Sequence, residues 1–253
     1  MNVMLTFLLI AVTVNIVMFI PAYKYRTDKL TDVSYALTFI LVTSVAFGSG
    51  VMRWQHFLLM LMIFWWAVRL GGFLLYRVSK KGKDARFDEM RNSLLSFLRF
   101  WVLQGVSVFL ILIPAVLYMR TSRPNFNGVA AVGVCLFMLG LYIESRSDLE
   151  KWQFSQKSKN KGLWIASGMW SRSRHPNYFG EMLVWVGVYM YVLPSLTTGQ
   201  RAWGLISPLY IIVLLRFVSG VPLLEKSADK KWGDNKQYET YKKNTPLLIP
   251  KTK

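Results

Sequence analysis

Residues Ser171 to Met190 read SRSRHPNYFGEMLVWVGVYM. The stretch opens cationic, turns at Pro176, and runs on as an apolar segment with Glu181 inside it. Proline suits the first turn of a helix, where its missing N–H would go unpaired in any case. A carboxylate within an apolar segment is the reverse, because lipid penalises it by about 3 kcal/mol unless it is paired or wet. A membrane helix with a polar site at its mouth accommodates both, and the first turn of that helix offers free N–H groups which, with Arg172 and Arg174, predict an anion site.

The rest of the chain agrees. It has 253 residues, 53% of them apolar and 15% aromatic, more apolar than a soluble domain of this length. A crossing takes about 20 helical residues. The apolar runs predict seven, at 2–22, 33–50, 54–76, 97–118, 128–145, 178–194 and 203–218. The expected fold is therefore all-α, a polytopic membrane helix bundle in one integral domain over residues 1–253. Unpaired backbone groups are not tolerated in lipid, which argues against a sheet for this pattern. The first segment, MNVMLTFLLIAVTVNIVMFI, lacks a basic leader and a small-x-small cleavage site, so it is expected to be retained as a helix.

The formal net charge is +18. Nucleic-acid binding, membrane orientation and an anionic ligand are three readings of it. The cations sit mostly in short loops on one side of the predicted bundle, while the opposing loops hold Arg53, Arg120, Arg123 and Arg201. That asymmetry favours orientation, with the N-terminus outside, the tail cytoplasmic and no nucleic-acid partner. Anionic headgroups are the expected neighbours of most loop lysines. The sequence does not distinguish a bacterial inner membrane from the endoplasmic reticulum.

Two histidines and one cysteine argue against a zinc or di-iron site, and Cys135 alone makes no disulfide framework. No Gly-x-Ser-x-Gly elbow, Gly-x-Gly-x-x-Gly loop or P-loop is present. The chemistry must come from ionisable groups at membrane depth. These are Arg69, Glu144, Asp148, Glu181 and Arg216, each near a predicted cytoplasmic helix end. Glu144 and Asp148 share one helix face, and Asn177 and Glu181 share another. Mutual ion pairing that locks the bundle is the structural alternative to a binding cavity. With His175, Tyr178 and Arg174 alongside, the cavity is the preferred reading. After Gly220 and Pro222, an amphipathic helix with Glu225 at its start is expected, lying on the membrane surface or folded back over the cavity.

Arg174-His175-Pro176-Asn177-Tyr178-Phe179-Gly180-Glu181, followed by Glu225, Trp232-Gly233, Tyr238, Tyr241, Pro246 and Ile249-Pro250, resembles the steroid 5α-reductase and sterol reductase superfamily, and more closely a poorly characterised branch of it. The likeness covers roughly residues 61–250, with the helices of 1–60 variable. It implies a cytoplasm-open NADPH cavity and reduction of a carbon–carbon double bond conjugated to a carbonyl in a steroid- or lipid-like substrate. Under it, Asn177 contacts the cofactor and Glu181 polarises the substrate. Asp148, Glu144, Arg69 and Arg216 match cofactor positions, and Arg174, His175, Tyr178 and Glu225 join them. Tyr35 is the candidate for a catalytic tyrosine on an early helix. The chemistry is coherent: a neutral Glu181 in a low-dielectric site can donate to the oxygen that gains charge as hydride arrives.

The same Arg-His-Pro motif and tail are similar to isoprenylcysteine and phospholipid methyltransferases, which use S-adenosylmethionine. Those usually carry paired tail glutamates, where this chain has Leu224-Glu225, and a non-acidic residue after the glycine, where it has Glu181. A transporter or membrane scaffold is a third reading, weakened by the absence of inverted repeats.

Overall fold

The computed structural model describes residues 3–81, 90 and 93–252. Lys83, Arg86 and Arg91, three of the expected cytoplasmic cations, lie outside the described residues. Among the described residues the chain is helical, with no strand. The long helices are α1 (Val3–Lys24), α2 (Lys29–Gly48), α3 (Trp54–Lys81), α4 (Leu94–Met119) and α5 (Gly128–Gln156). Then come α6 (Pro176–Val192), α7 (Thr198–Gly204), α8 (Ile206–Val213), α9 (Val221–Trp232) and α10 (Lys236–Asn244).

Among the described residues six stretches are long and apolar enough to cross a membrane: α1 to α5, and the run from Thr198 to Trp232. This is an integral membrane protein of the expected class. The expected seventh span is α6, which with 17 residues sits at the short end of spanning length. By contrast α5, expected to stop at 145, continues to Gln156. Its 29 residues extend about 43 Å at 1.5 Å each, well beyond a hydrocarbon core of about 30 Å. Its polar end therefore carries Asp148 and Glu150 past the expected end of the apolar run at 145, with Glu144 just inside it. The expected span 203–218 is broken into α7, α8 and a π-helical turn, Leu214–Val218, and the chain then bends at Gly220 before α9.

The chain forms two compact units, Met1–Asn127 with Val192–Ser207, and Gly128–Tyr191 with Pro208–Lys253. In the first, α1 packs on α4 through Phe19, Ala22, Phe97 and Trp101, all buried. A Cβ at Gly105 would lie 2.8 Å from the Cα of Val12, so only glycine admits that approach. Tyr35 and Phe39 on α2 meet Trp66 on α3 edge-on. Asn15 is fully buried at the centre. Its amide donates to the carbonyl of Ala11 at 2.8 Å and to Thr38 Oγ1 at 3.0 Å. Its oxygen accepts from Ser34 Oγ at 3.1 Å and Gln104 Nε2 at 2.8 Å. All four hydrogen-bonding positions of the amide are thus filled, and three helices are tied where no water competes.

In the second unit, α5 and α6 approach through reciprocal glycine pairs. A Cβ at Gly140 would meet the carbonyl oxygen of Gly180 at 2.6 Å, and one at Gly180 would meet that of Gly140 at 2.7 Å. Gly133 and Gly187, a heptad away on each helix, repeat the arrangement at 2.8 and 2.7 Å. Backbone therefore touches backbone, as small residues allow in lipid, where no hydrophobic drive holds helices together. Gly180 also lies against Glu144, whose backbone nitrogen would be 2.6 Å from an added Cβ.

Gly180→Ala is therefore expected to lower stability by about 1–3 kcal/mol through overpacking. Gly48→Ala, where an added Cβ meets nothing within 4 Å, is expected to leave it nearly unchanged. Thermal melts of the two variants in detergent check the contrast. Asn15→Leu removes the acceptor of Ser34 Oγ, while Thr38 keeps its bond to the Ser34 carbonyl and Gln104 its bond to the Thr31 carbonyl, and an independent loss of about 1–3 kcal/mol is expected in the same assay.

Candidate functional site at the start of α6

Pro176 is the first residue of α6, as its missing N–H predicts. The four residues before it are held by a chain segment that arrives some seventy positions later. Arg174 N–H donates to the carbonyl of Pro246 at 2.9 Å, and His175 N–H to that of Leu247 at 3.2 Å. Ser173 Oγ donates to the carbonyl of Leu248 at 2.7 Å, and Lys251 N–H to that of Arg172 at 3.0 Å. The hydroxyl of Tyr241 donates to the carbonyl of Trp170 at 2.7 Å, which fixes α10 beside this segment. Burial raises the Tyr241 phenol well above its ordinary range, so it stays a donor at any physiological pH.

Glu225 on α9 closes the clamp. One carboxylate oxygen accepts from Arg174 Nη1, and the other from His175 Nε2 at 2.7 Å. Lys242 on α10 stands 3.8 Å away and also pairs with Asp229. Of the two arginines expected to favour an anion at the helix start, Arg174 pairs with Glu225 and Arg172 is exposed. The amphipathic helix expected in the tail thus folds back within its own unit. Its inward face, Val221, Leu224, Glu225, Ala228 and Trp232, alternates with exposed Leu223, Lys226 and Lys230. Trp232 anchors its far end by donating to the carbonyl of Gly162 at 2.6 Å.

His175 is 5% exposed, and its ring stacks on Tyr178 at 5.8 Å. Burial lowers its pKa below 6.5; Glu225 opposes this, and Lys151 and Arg174 reinforce it. Lys151 itself lies 4.4 Å from the Trp170 ring. At the second position of α6, Asn177 Nδ2 donates to Asp148 Oδ1 on α5 at 3.3 Å. Its own oxygen is buried with no partner among the described residues, as are Arg174 Nε and His175 Nδ1. Such atoms are uncommon in a folded interior and fit a ligand that supplies both donors and an acceptor.

The structure thus brings Glu144, Asp148 and Asn177 together along the α5–α6 glycine contact. Glu181 follows one turn beyond Asn177, half-buried. Arg174, His175 and Glu225 form the clamp beside them. Arg216 lies on the π-turn of the same unit, its guanidinium 5.1 Å from the Phe217 ring. Tyr35 and Arg69 belong to the other unit. Tyr35 rests against Phe39 and Trp66, and Arg69 borders an open apolar groove with Leu61, Phe64, Trp65 and Val68. Sequence reasoning passed over Ser173, Trp170 and Lys242, whose partners are remote in sequence. It also passed over Gly133, Gly140 and Gly187, which with Gly180 of the motif repeat at heptad spacing on both helices, a readable signal.

A histidine whose protonation is disfavoured by the fold binds fewer protons folded than unfolded just below pH 6.5, so stability falls as pH drops through that region. The melting temperature of the protein is expected to decline below about pH 6.5, and to decline less in His175→Asn. An equal decline in both would place the effect on other groups.

The family described as "Protein of unknown function (DUF1295)" matches residues 18–245, nearly the whole chain. No curated protein and no solved structure matches it.

Proposed function

Because this chain belongs to the DUF1295 family of unknown function, we propose from its site that it is an NADPH-dependent membrane reductase acting on a carbon–carbon double bond conjugated to a carbonyl in a lipid-like substrate. The observation that carries this is the grouping of Asn177, Asp148 and Glu144 at the α5–α6 contact, with the Asn177 oxygen buried and unmet. It supports the residue-by-residue likeness to the steroid 5α-reductase superfamily around Asn177 and Glu181.

In this reading the cofactor supplies a hydride when bound. Asn177, Asp148 and Glu144 take its hydroxyl and amide donors, and Tyr178 offers a ring face. Arg216, in the same unit, offers charge to its phosphates. Glu181 donates a hydrogen bond to the substrate carbonyl, where charge develops. The apolar spans keep bulk water and polar competitors from an oily substrate drawn from the surrounding lipid. The tail faces the cytoplasm, where NADPH is available, and the N-terminus faces the opposite side. The membrane is a bacterial inner membrane or the endoplasmic reticulum.

One observation favours a second reading. Glu225 neutralises Arg174, which leaves the α6 start less attractive to phosphate and better suited to a cofactor without it, such as S-adenosylmethionine. Thermal shift of the purified protein separates the two, since a bound cofactor at a hundredfold its Kd adds about 2.7 kcal/mol of stability. A shift with NADPH and none with S-adenosylmethionine is expected. Asn177→Ala and Arg216→Ala are expected to weaken that shift, whereas Glu181→Gln should keep it and lose turnover by a factor of at least about 100. The matching substrate–product pair, differing by two hydrogens, is sought by lipid profiling of cells with and without the gene. Full turnover in Glu181→Gln would take that residue out of the chemistry.

A further inference from the structure

His175 is placed as a proton acceptor, not only as a packing residue. Its Nε2 lies 2.7 Å from a carboxylate oxygen of Glu225, which can only accept, so Nε2 carries the hydrogen. In a neutral ring that leaves Nδ1 with a bare lone pair, and Nδ1 is buried with no partner among the described residues. The residue has little freedom to find one. Its backbone N–H is shared by the Leu247 carbonyl and Ser173 Oγ, and its ring is stacked on Tyr178.

We infer that His175 is a base whose reactive atom is Nδ1, taking a proton from a hydroxyl or ammonium group of a bound ligand, and that Glu225 is its positioning residue. The step balances simply. The ligand X–H bond breaks and leaves its electron pair on X, Nδ1–H forms, and the ring gains one positive charge. Glu225 faces that charge across the ring, as carboxylates do where they orient a histidine base. The remaining charged groups around the ring are Arg174 beside it and Lys151 from α5, with Lys242 from α10 on the far side of Glu225. Arg174 occupies the other oxygen of Glu225, so the carboxylate is tethered and the resting pair carries no uncompensated charge. Burial, which lowers the histidine pKa, keeps the ring neutral and ready to accept. This holds whichever cofactor the site takes, and so does not rest on the reductase reading.

Two measurements on the full chain in detergent test it. Two-bond nitrogen–proton spectra of labelled protein at pH 8, assigned with His175→Asn, are expected to show a single Nε2–H tautomer at His175 with Nδ1 unprotonated. In Glu225→Gln that preference should weaken. An Nδ1–H tautomer, or an even mixture in the parent protein, overturns the inference even if the Glu225 variant fails to fold. The second probe is diethyl pyrocarbonate, which acylates imidazole at an unprotonated nitrogen, read by mass spectrometry of the peptide carrying residue 175. An adduct that forms more slowly as pH falls supports an accessible base, and an inert ring overturns it. Protection of at least threefold by NADPH or by S-adenosylmethionine further supports ligand contact at Nδ1. An adduct formed at an unchanged rate with both present keeps the base and counts against the cofactor assignment alone.

Discussion

Two helices touch backbone to backbone at Gly140 and Gly180, and the rest of the second unit depends on that contact. In lipid, neither helix gains by hiding apolar surface from the other, so close packing must supply the association. Glycine permits it, and its recurrence at Gly133 and Gly187 extends the contact over two further turns of each helix. The approach sets the register of every polar group nearby. Glu144 is pressed against Gly180, and one turn further along Asp148 comes within reach of Asn177. A bulkier residue at position 180 would separate the elements that carry those carboxylates from the helix that carries the amide.

The clamp acts on a different scale. Pairs of exposed charges contribute little, about 0–1 kcal/mol each, so ion pairing alone would not explain why Glu225 is held by two donors. Here the carboxylate is mostly buried, and removing either donor would leave it undercompensated, which costs more than the pair contributes. The backbone bonds from Arg174 and His175 to Pro246 and Leu247 run alongside it. Together they hold a loop that would otherwise be free at the mouth of a helix. Rigid support of this kind is what a site needs if its atoms are to stay in register with a ligand.

Much of this was legible in the sequence. Long apolar runs placed α1 to α4 within a few residues, because a helix in lipid and an apolar run are nearly the same object. They failed for α5, whose polar end continues as helix to Gln156, because hydropathy marks where lipid stops and not where hydrogen bonding stops. Pro176 announced the start of α6, and the motif around it named Arg174, His175 and Asn177 as a group. What could not be read was who pairs with whom. Glu225 is fifty positions from His175, and nothing local says that it will take both that ring and Arg174. The four-way bonding of Asn15 was equally silent, since its partners come from three helices. Tyr35 and Arg69 fall in the other compact unit, a division that composition alone does not reveal.

The pairing of Ser173 with Leu248, 75 positions apart, has a consequence for biosynthesis. A ribosome adding about 5–20 residues per second needs roughly 4–15 s to travel that distance. α6, Pro176–Val192, is completed early in that interval, yet the segment that fastens its entrance is made only at its end. Until then the backbone amides at that entrance must find partners other than Pro246 and Leu247. Closure of the α6 entrance thus comes after the helix it closes has been made and cannot guide that helix's formation.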